Sequence, residues 1–515
     1  MGLVSFVSRD KFATLCGGRH NIAAIEIDEL FKKIKNIGAE LVFFMDGPIQ
    51  EEKYSTWRQR QNLRYDSCND ILDDFDRGIP LSRIIEKERN NCYKIPNIST
   101  FIPILEEKAK KYGTLHKTYT VECDLEIAAF ASNNPAVLAV IAHDSDFLIF
   151  PGDWRYFSIN MLNVDTLITK EFNRTALREC LGLNDKQLVI FATLASNDVI
   201  KFEEVKHFHN EISGTRTIAK YKFPAIAKII KNQLNVGRKK IPLEIANLLW
   251  RQPCSDSVIR VQKSLKSYKI NFRKEDFSVT NPLLHKCIQH DLMFVFDILM
   301  KTTVNFTLFY FNLSKENISY YEYTIPLFQR QLGIVYDRKS TSGHRIYSKL
   351  SHSDSYRLSK VYPIFPDVIV PPLGKLLFLK GDKDLDEIRF HLLKWIVCWD
   401  KLKDSDLTAI PKNYLLDILV LVFMKENGII STIEADVILL TIKQVELESS
   451  AIDIKNPKTI NARAAKISFL YSKIYTNITR CLEFVGLHEL KVICNSIEIC
   501  ILYVGRNNRF SLFPF

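Results

Sequence analysis

Apolar residues along this 515-residue chain keep two rhythms. Short unbroken apolar runs, Leu41-Val42-Phe43-Phe44-Met45 and Ala136-Val137-Leu138-Ala139-Val140-Ile141-Ala142, predict parallel strands covered on both faces. Around them, Ile22, Ile25, Phe31 and Ile34 recur at helical spacing and predict a helix over 21–37, while 125–132 and 185–195 predict two more. Strands alternating with helices in this way give the rhythm of an α/β fold built on a parallel sheet. Beyond residue 210 helical patterns dominate, with long packed helices predicted over Leu385 to Trp399, Tyr414 to Lys425 and Ala462 to Phe484. The proline-rich stretch Tyr362 to Pro372 is predicted to be a linker or domain edge. The expected organisation is an α/β domain over 1–210, a basic helical region over 211–360 and a helical C-terminal domain over 361–515.

Both apolar runs end in acids. The second passes into His143-Asp144-Ser145-Asp146 and the first into Asp46-Gly47-Pro48. In open α/β sheets, ligands bind just beyond the carboxyl ends of the strands. Two carboxylates about 4 Å apart repel by roughly 4 kcal/mol at an effective dielectric near 20, so such a pair beside apolar core favours a cation. Glu122 and Asp124 open a small-residue helix containing Ala128 and Ala129, and the 185–195 helix delivers Asn197-Asp198. Taken singly, each has a plain structural account as a turn, a cap or a helix N-terminus. Six carboxylates at element ends of one α/β region, Asp46, Glu122, Asp124, Asp144, Asp146 and Asp198, are harder to assign to capping. Oxygen donors without His or Cys suit Mg²⁺ or Mn²⁺ rather than zinc. Two such ions roughly 3.5 to 4 Å apart would clamp both oxygens of a phosphodiester in an in-line displacement.

In order and content these motifs resemble the flap-endonuclease and XPG-type PIN-domain nucleases, most closely the asteroid homologue branch. The likeness is carried by Met1-Gly2-Leu3-Val4-Ser5-Phe6-Val7, by Phe43-Phe44-Met45-Asp46-Gly47 followed by Lys53 and Arg60, and by Glu122-Cys123-Asp124. It continues through His143-Asp144-Ser145-Asp146-Phe147-Leu148-Ile149-Phe150 and Phe191-Ala192-Thr193-Leu194-Ala195-Ser196-Asn197-Asp198. The terminal Tyr503-Val504-Gly505-Arg506-Asn507-Asn508-Arg509-Phe510-Ser511-Leu512 is what points to the asteroid branch. Nuclease-like resemblance covers residues 15 to 200; the remainder matches only in helical character and near its end.

The resemblance implies a PIN-like domain with a central parallel sheet, followed by a mainly α-helical C-terminal region. It makes Asp46, Glu122, Asp124, Asp144, Asp146 and Asp198 ligands of two Mg²⁺ or Mn²⁺ ions, with Lys53 and Arg60 as catalytic cations steering the scissile phosphate. The charged stretch 67–100 corresponds to an arch-like insertion over the active site. The implied activity is structure-specific endonucleolytic cleavage of DNA bearing single-stranded branches or ends. Two departures stand out. Family members supply another Asp from a strand soon after the Met-Gly start, whereas no apolar run ending in Asp lies between Val7 and Cys16 here. A shortened gene model or a loss of activity would each account for it. Flap endonucleases also follow their last acid with a glycine-rich duplex grip, whereas no glycine follows Asp198 until Gly214.

Lys53 and Arg60 also bear on the substrate by their spacing. They lie about 10.5 Å apart along one helix face, with Trp57 between them and Arg64 one turn on. Such a face can track a single strand by phosphate contact and stacking, or be a solvated basic face with Trp57 in the core. The net charge of +11 and pI of 8.9 lean toward polyanionic partners. Positive charge gathers at Arg216, Lys220, Lys222, Lys228, Lys231, Arg238, Lys239 and Lys240, then at Lys263, Lys266, Lys269, Arg273 and Lys274. Solubility is the competing account of that charge.

With 47% hydrophobic residues and a mean hydropathy of −0.05, the chain has the composition of a globular protein. Its 11 cysteines form no Cys-x-x-Cys pair, which argues against a disulfide framework or a zinc knuckle. No signal peptide opens the chain and no apolar run is long enough to span a bilayer, so the expected location is intracellular, nuclear or cytoplasmic. His207 and His209 read as surface or core residues. Three functions fit: a metal-dependent endonuclease, a catalytically inactive nucleic-acid-binding module favoured by the missing first acid, and an asteroid-type signalling scaffold with protein partners on its helical C-terminal region.

Overall fold

The computed structural model describes residues 2–15, 20–49, 51–95, 101–119, 121–214, 219–234, 240–270, 281–301, 303–305, 320–336, 343–348, 357–398, 409–447 and 458–490. The described chain is mixed α/β and mostly helical, with its strands in small sheets. It divides into two compact units. The first comprises Met1–Phe6, Val42–Thr56 and Leu115–Ser278, and the second Val7–Leu41, Trp57–Thr114 and Val279–Phe515.

In the first unit, β1 (Val42–Met45) pairs with β2 (Thr114–Lys117). A second sheet joins β3 (Ala139–Ala142) in parallel to β4 (Arg155–Ser158), which pairs antiparallel with β5 (Glu171–Phe172). Parallel pairing is present between β3 and β4, with Ala139 opposite Arg155 and Ala142 opposite Ser158, but the two predicted strands lie in separate small sheets, and Val42 and Ile141 are exposed rather than covered on both faces. β3 is shorter than its apolar run because Asn134 closes a turn over the first residues. Its side chain accepts from the Ala136 amide at 3.1 Å and its carbonyl from the Val137 amide at 3.0 Å.

Helices Cys123–Asn133 and Asp185–Ala195 fall where the sequence predicts them. The second opens on a capping box in which Asn184 and Gln187 exchange side chain to backbone bonds, each of 3.0 Å. Its Leu188 and Leu194 are fully buried, each contributing about 1.5–3 kcal/mol by leaving water. They fix the end of the helix from which Asn197 and Asp198 emerge. Residues beyond the expected boundary near 210 join the same core: Ile226, Ile245, Val261 and Tyr268 pack with Val140, Phe147, Leu188 and Leu194.

The second unit is chiefly helical, with one sheet in which β6 (Thr303–Asn305) runs parallel to β7 (His344–Ser348) and β7 antiparallel to β8 (Arg357–Val361). The three long helices expected in its C-terminal part are Lys383–Val397, Lys412–Glu426 and Ala462–Phe484. Tyr362 to Pro372 connects β8 to the Leu373–Phe378 helix within this unit. The described part of the 67–100 stretch is mostly helical, in Tyr54–Asp76 and Leu81–Arg89. Buried Asp74 accepts there from Lys87 at 2.7 and 2.8 Å and from the Tyr93 hydroxyl at 2.9 Å. No helix among the described residues is long and apolar enough to cross a membrane.

Candidate functional site: acids gathered around Lys53

The first unit brings the six predicted carboxylates within electrostatic reach of one another. Asp46 follows β1, Asp144 and Asp146 follow β3, Glu122 and Asp124 stand at the start of Cys123–Asn133, and Asp198 follows Asp185–Ala195. Asp124 is pushed up to about 6, first by burial and then by the charges of Asp144, Asp46 and Glu122, with Lys53 acting in the opposite direction. Asp146 is pushed up to about 7, again by burial first and then by Asp144, Asp124 and Asp198. Burial, with the repulsion of neighbouring carboxylates added to it, accounts for both directions.

Lys53 lies among these acids. Its ammonium donates to Glu122 at 2.8 Å and approaches Asp198 at 3.4 Å. Burial alone would lower the Lys53 pKa, but Glu122, Asp198 and Asp124 outweigh it and the net direction is upward. Arg60 occupies an exposed position on the Tyr54–Asp76 helix, in the part that belongs to the second unit.

Local bonds decide how far simple capping explains each acid. Asp144 does cap, accepting from the Asp146 amide at 3.1 Å as the 3-10 turn Ser145–Leu148 begins. Glu122 holds the N-cap position of Cys123–Asn133 without making a side-chain cap bond, and turns to Lys53 instead. Asn197 takes over the turn after Ala195 by accepting from the Val199 and Ile200 amides, both at 3.0 Å. The chain leaves that helix through Ser196 at φ 85 and ψ 145, a region that L-residues other than glycine rarely occupy. Gly47 meets a different constraint: a Cβ there would stand 1.4 Å from the Thr118 carbonyl oxygen. Thr118 in turn bonds to the Met45 carbonyl and the Gly47 amide at 3.1 and 3.2 Å, which fixes the turn at Asp46.

Tyr268 has no counterpart among the predicted site residues. Its hydroxyl donates to Asp146 Oδ1 at 3.1 Å, and its ring packs against Phe150 with centroids 5.5 Å apart. Nothing in the run Lys266-Ser267-Tyr268-Lys269 announces this contact. Only the return of the Ser255–Ser267 helix to the core creates it. Of the two histidines, His209 is fully buried and its Nε2 lies 2.7 Å from the Leu194 carbonyl, a core role.

Among the described residues, no group of three or more His, Cys, Asp or Glu side chains is arranged to hold a metal ion as it stands. The donor chemistry does suit a hard cation, since six carboxylates share one field and two of them are driven toward protonation by burial and by that field. Lys220, Lys228, Lys231, Lys240, Lys263, Lys266 and Lys269 are exposed. Lys222 instead lies over the Phe202 and Phe223 rings at 5.2 and 5.1 Å. Arg216, Arg238, Lys239, Arg273, Lys274, the 16–18 segment and the terminal 503–512 motif lie outside the described residues.

No family model matches the chain, and no solved structure does. The chain is similar to the constitutive coactivator of peroxisome proliferator-activated receptor gamma from Bos taurus, 30% identical over 186 residues, 36% of this chain and 25% of that protein. The Homo sapiens protein of the same name is 26% identical over 223 residues, 42% of this chain and 23% of its own length. The Mus musculus protein is 26% identical over 185 residues, 36% and 22% respectively. The matched stretch thus spans about a quarter of these curated relatives.

Proposed function

We propose that the first unit is a PIN-like domain of the XPG and asteroid type and that its acids form a divalent-metal-dependent phosphodiester site. On this reading the chain is a structure-specific endonuclease acting on DNA with single-stranded branches or ends. The observation that carries the proposal is the convergence of Asp46, Glu122, Asp124, Asp144, Asp146 and Asp198 from separate element ends into one field. These carboxylates would hold Mg²⁺ or Mn²⁺, two ions in the full site, which when bound supply Lewis-acid stabilisation of charge developing on phosphate oxygens. Lys53, now in contact with Glu122 and Asp198, would exchange a carboxylate for a phosphate oxygen when substrate enters. The exposed lysines of the first unit would hold the strand by phosphate contacts.

A second reading has its own support. Lys53 already offsets charge on Glu122 and Asp198, as suits a catalytically inactive nucleic-acid-binding or signalling scaffold, and the relatives are named as coactivators of a receptor. Protein partners would then use the helical C-terminal region. Cleavage of branched DNA in Mn²⁺, lost in both Asp144→Ala and Asp146→Ala, supports the endonuclease. Binding that weakens steeply with salt but never cuts supports the second reading, and failure to bind DNA at any salt concentration removes nucleic acid from both.

A further inference from the structure

The helix Ser255–Ser267 and the residue that follows it reach one of the six acids, Asp146, and the residue before another, Asn197 beside Asp198, by separate hydrogen bonds. Tyr268 donates to Asp146 at 3.1 Å. Fully buried Ser264 accepts from Asn197 Nδ2 at 2.7 Å and shares a 2.8 Å bond with Thr193. Asn197 Oδ1 closes the turn that presents Asp198. Asn197 Nδ2 also lies 3.4 Å from the Tyr268 hydroxyl, so the two arms meet.

Packing alone does not require this chemistry. The Tyr268 ring is 3% exposed and seated against Phe150, so phenylalanine would fill the same space. A buried hydroxyl must find a partner, and here the partner is a carboxylate of the site. A neutral donor orients one oxygen of Asp146 and leaves the other available, whereas Lys53 withdraws charge from the acids it touches.

We infer that Tyr268 is a positioning residue for Asp146, and Asn197, held by Ser264, a positioning residue for Asp198. One helix thereby sets how two carboxylates are presented to a divalent cation. The inference rests on reading the acids as a cation site. Partners that orient ligands in this way typically change metal affinity by about 10–100-fold when removed.

The test uses the full chain with ¹³Cζ-labelled tyrosine, the Tyr268 resonance being assigned by its loss in Tyr268→Phe. In metal-free protein, Asp146→Asn is expected to shift that resonance; no shift overturns the inference. Mn²⁺ binding followed by electron paramagnetic resonance is expected to weaken at least tenfold in Tyr268→Phe at unchanged melting temperature. Wild-type affinity in Tyr268→Phe overturns the inference even if the resonance responds. If the resonance responds but the wild-type chain binds no Mn²⁺, the contact to Asp146 stands and the cation-site reading fails.

Discussion

Lys53 donates to Glu122 at 2.8 Å, so a cation that the family resemblance assigns to a phosphate is here a bridge between carboxylates. Its second approach, 3.4 Å to Asp198, ties the start of one helix to the end of another. An ammonium in that position competes with any divalent cation for the same oxygens. Lys53→Met is therefore expected to tighten Mn²⁺ binding about fivefold, the equivalent of about 1 kcal/mol for a partly exposed pair, while weakening DNA binding. Weaker Mn²⁺ binding in this variant, read by titration calorimetry, would show that Lys53 supports the cation rather than opposing it.

Protonation should leave its own signature. With Asp124 at about 6 and Asp146 at about 7 against an ordinary 3.8, the folded metal-free chain holds protons that the unfolded chain has already released. Between about pH 4 and 7 the folded state binds more protons, so stability falls as pH rises through that window and levels off above it. Below it both states are protonated and the effect disappears. Thermal melts across pH should show this slope, and Asp146→Asn should flatten its upper part. A melting temperature that rises over pH 5 to 7, once other groups are matched by the variant, would contradict the assignment.

Ser196 carries backbone strain next to Asp198, at φ 85 and ψ 145. Glycine adopts that conformation freely, so Ser196→Gly is expected to stabilise the chain by roughly 1 kcal/mol. Urea unfolding monitored by tryptophan fluorescence measures it. Destabilisation would mean that the serine side chain contributes more than its backbone costs.

Gly47 should tolerate nothing larger. A Cβ at 1.4 Å from the Thr118 carbonyl oxygen forces the β1 turn away from its neighbour, and Gly47→Ala is expected to cost about 1–3 kcal/mol. Displacement of Asp46 should accompany the loss, so Mn²⁺ affinity should fall together with the melting temperature.

Much of the site is legible in the sequence because short-range signals write it. Apolar runs that stop just before Asp46 and His143-Asp144 mark strand ends, and the apolar run over 185–195 marks the helix that leads to Asp198. What is not legible depends on long-range closure. The bond from Tyr268 to Asp146 spans 122 positions, and no local pattern encodes it. The salt bridge from Lys53 to Glu122 is similarly invisible, because a lysine at the start of a helix carries the same signal whether it faces solvent or acids. The fall of helices Ala219–Gln233, Ile241–Leu249 and Ser255–Ser267 into the first core also escapes periodicity, which reports that a face is apolar but not what covers it.

The first unit is stitched from three separate lengths of chain, the last of which runs to Ser278. Deletion mapping is therefore treacherous for this molecule. A fragment ending at residue 210 would strip Ile226, Ile245 and Val261 from their neighbours, and its silence in any assay would speak of a ruined scaffold rather than of a missing activity.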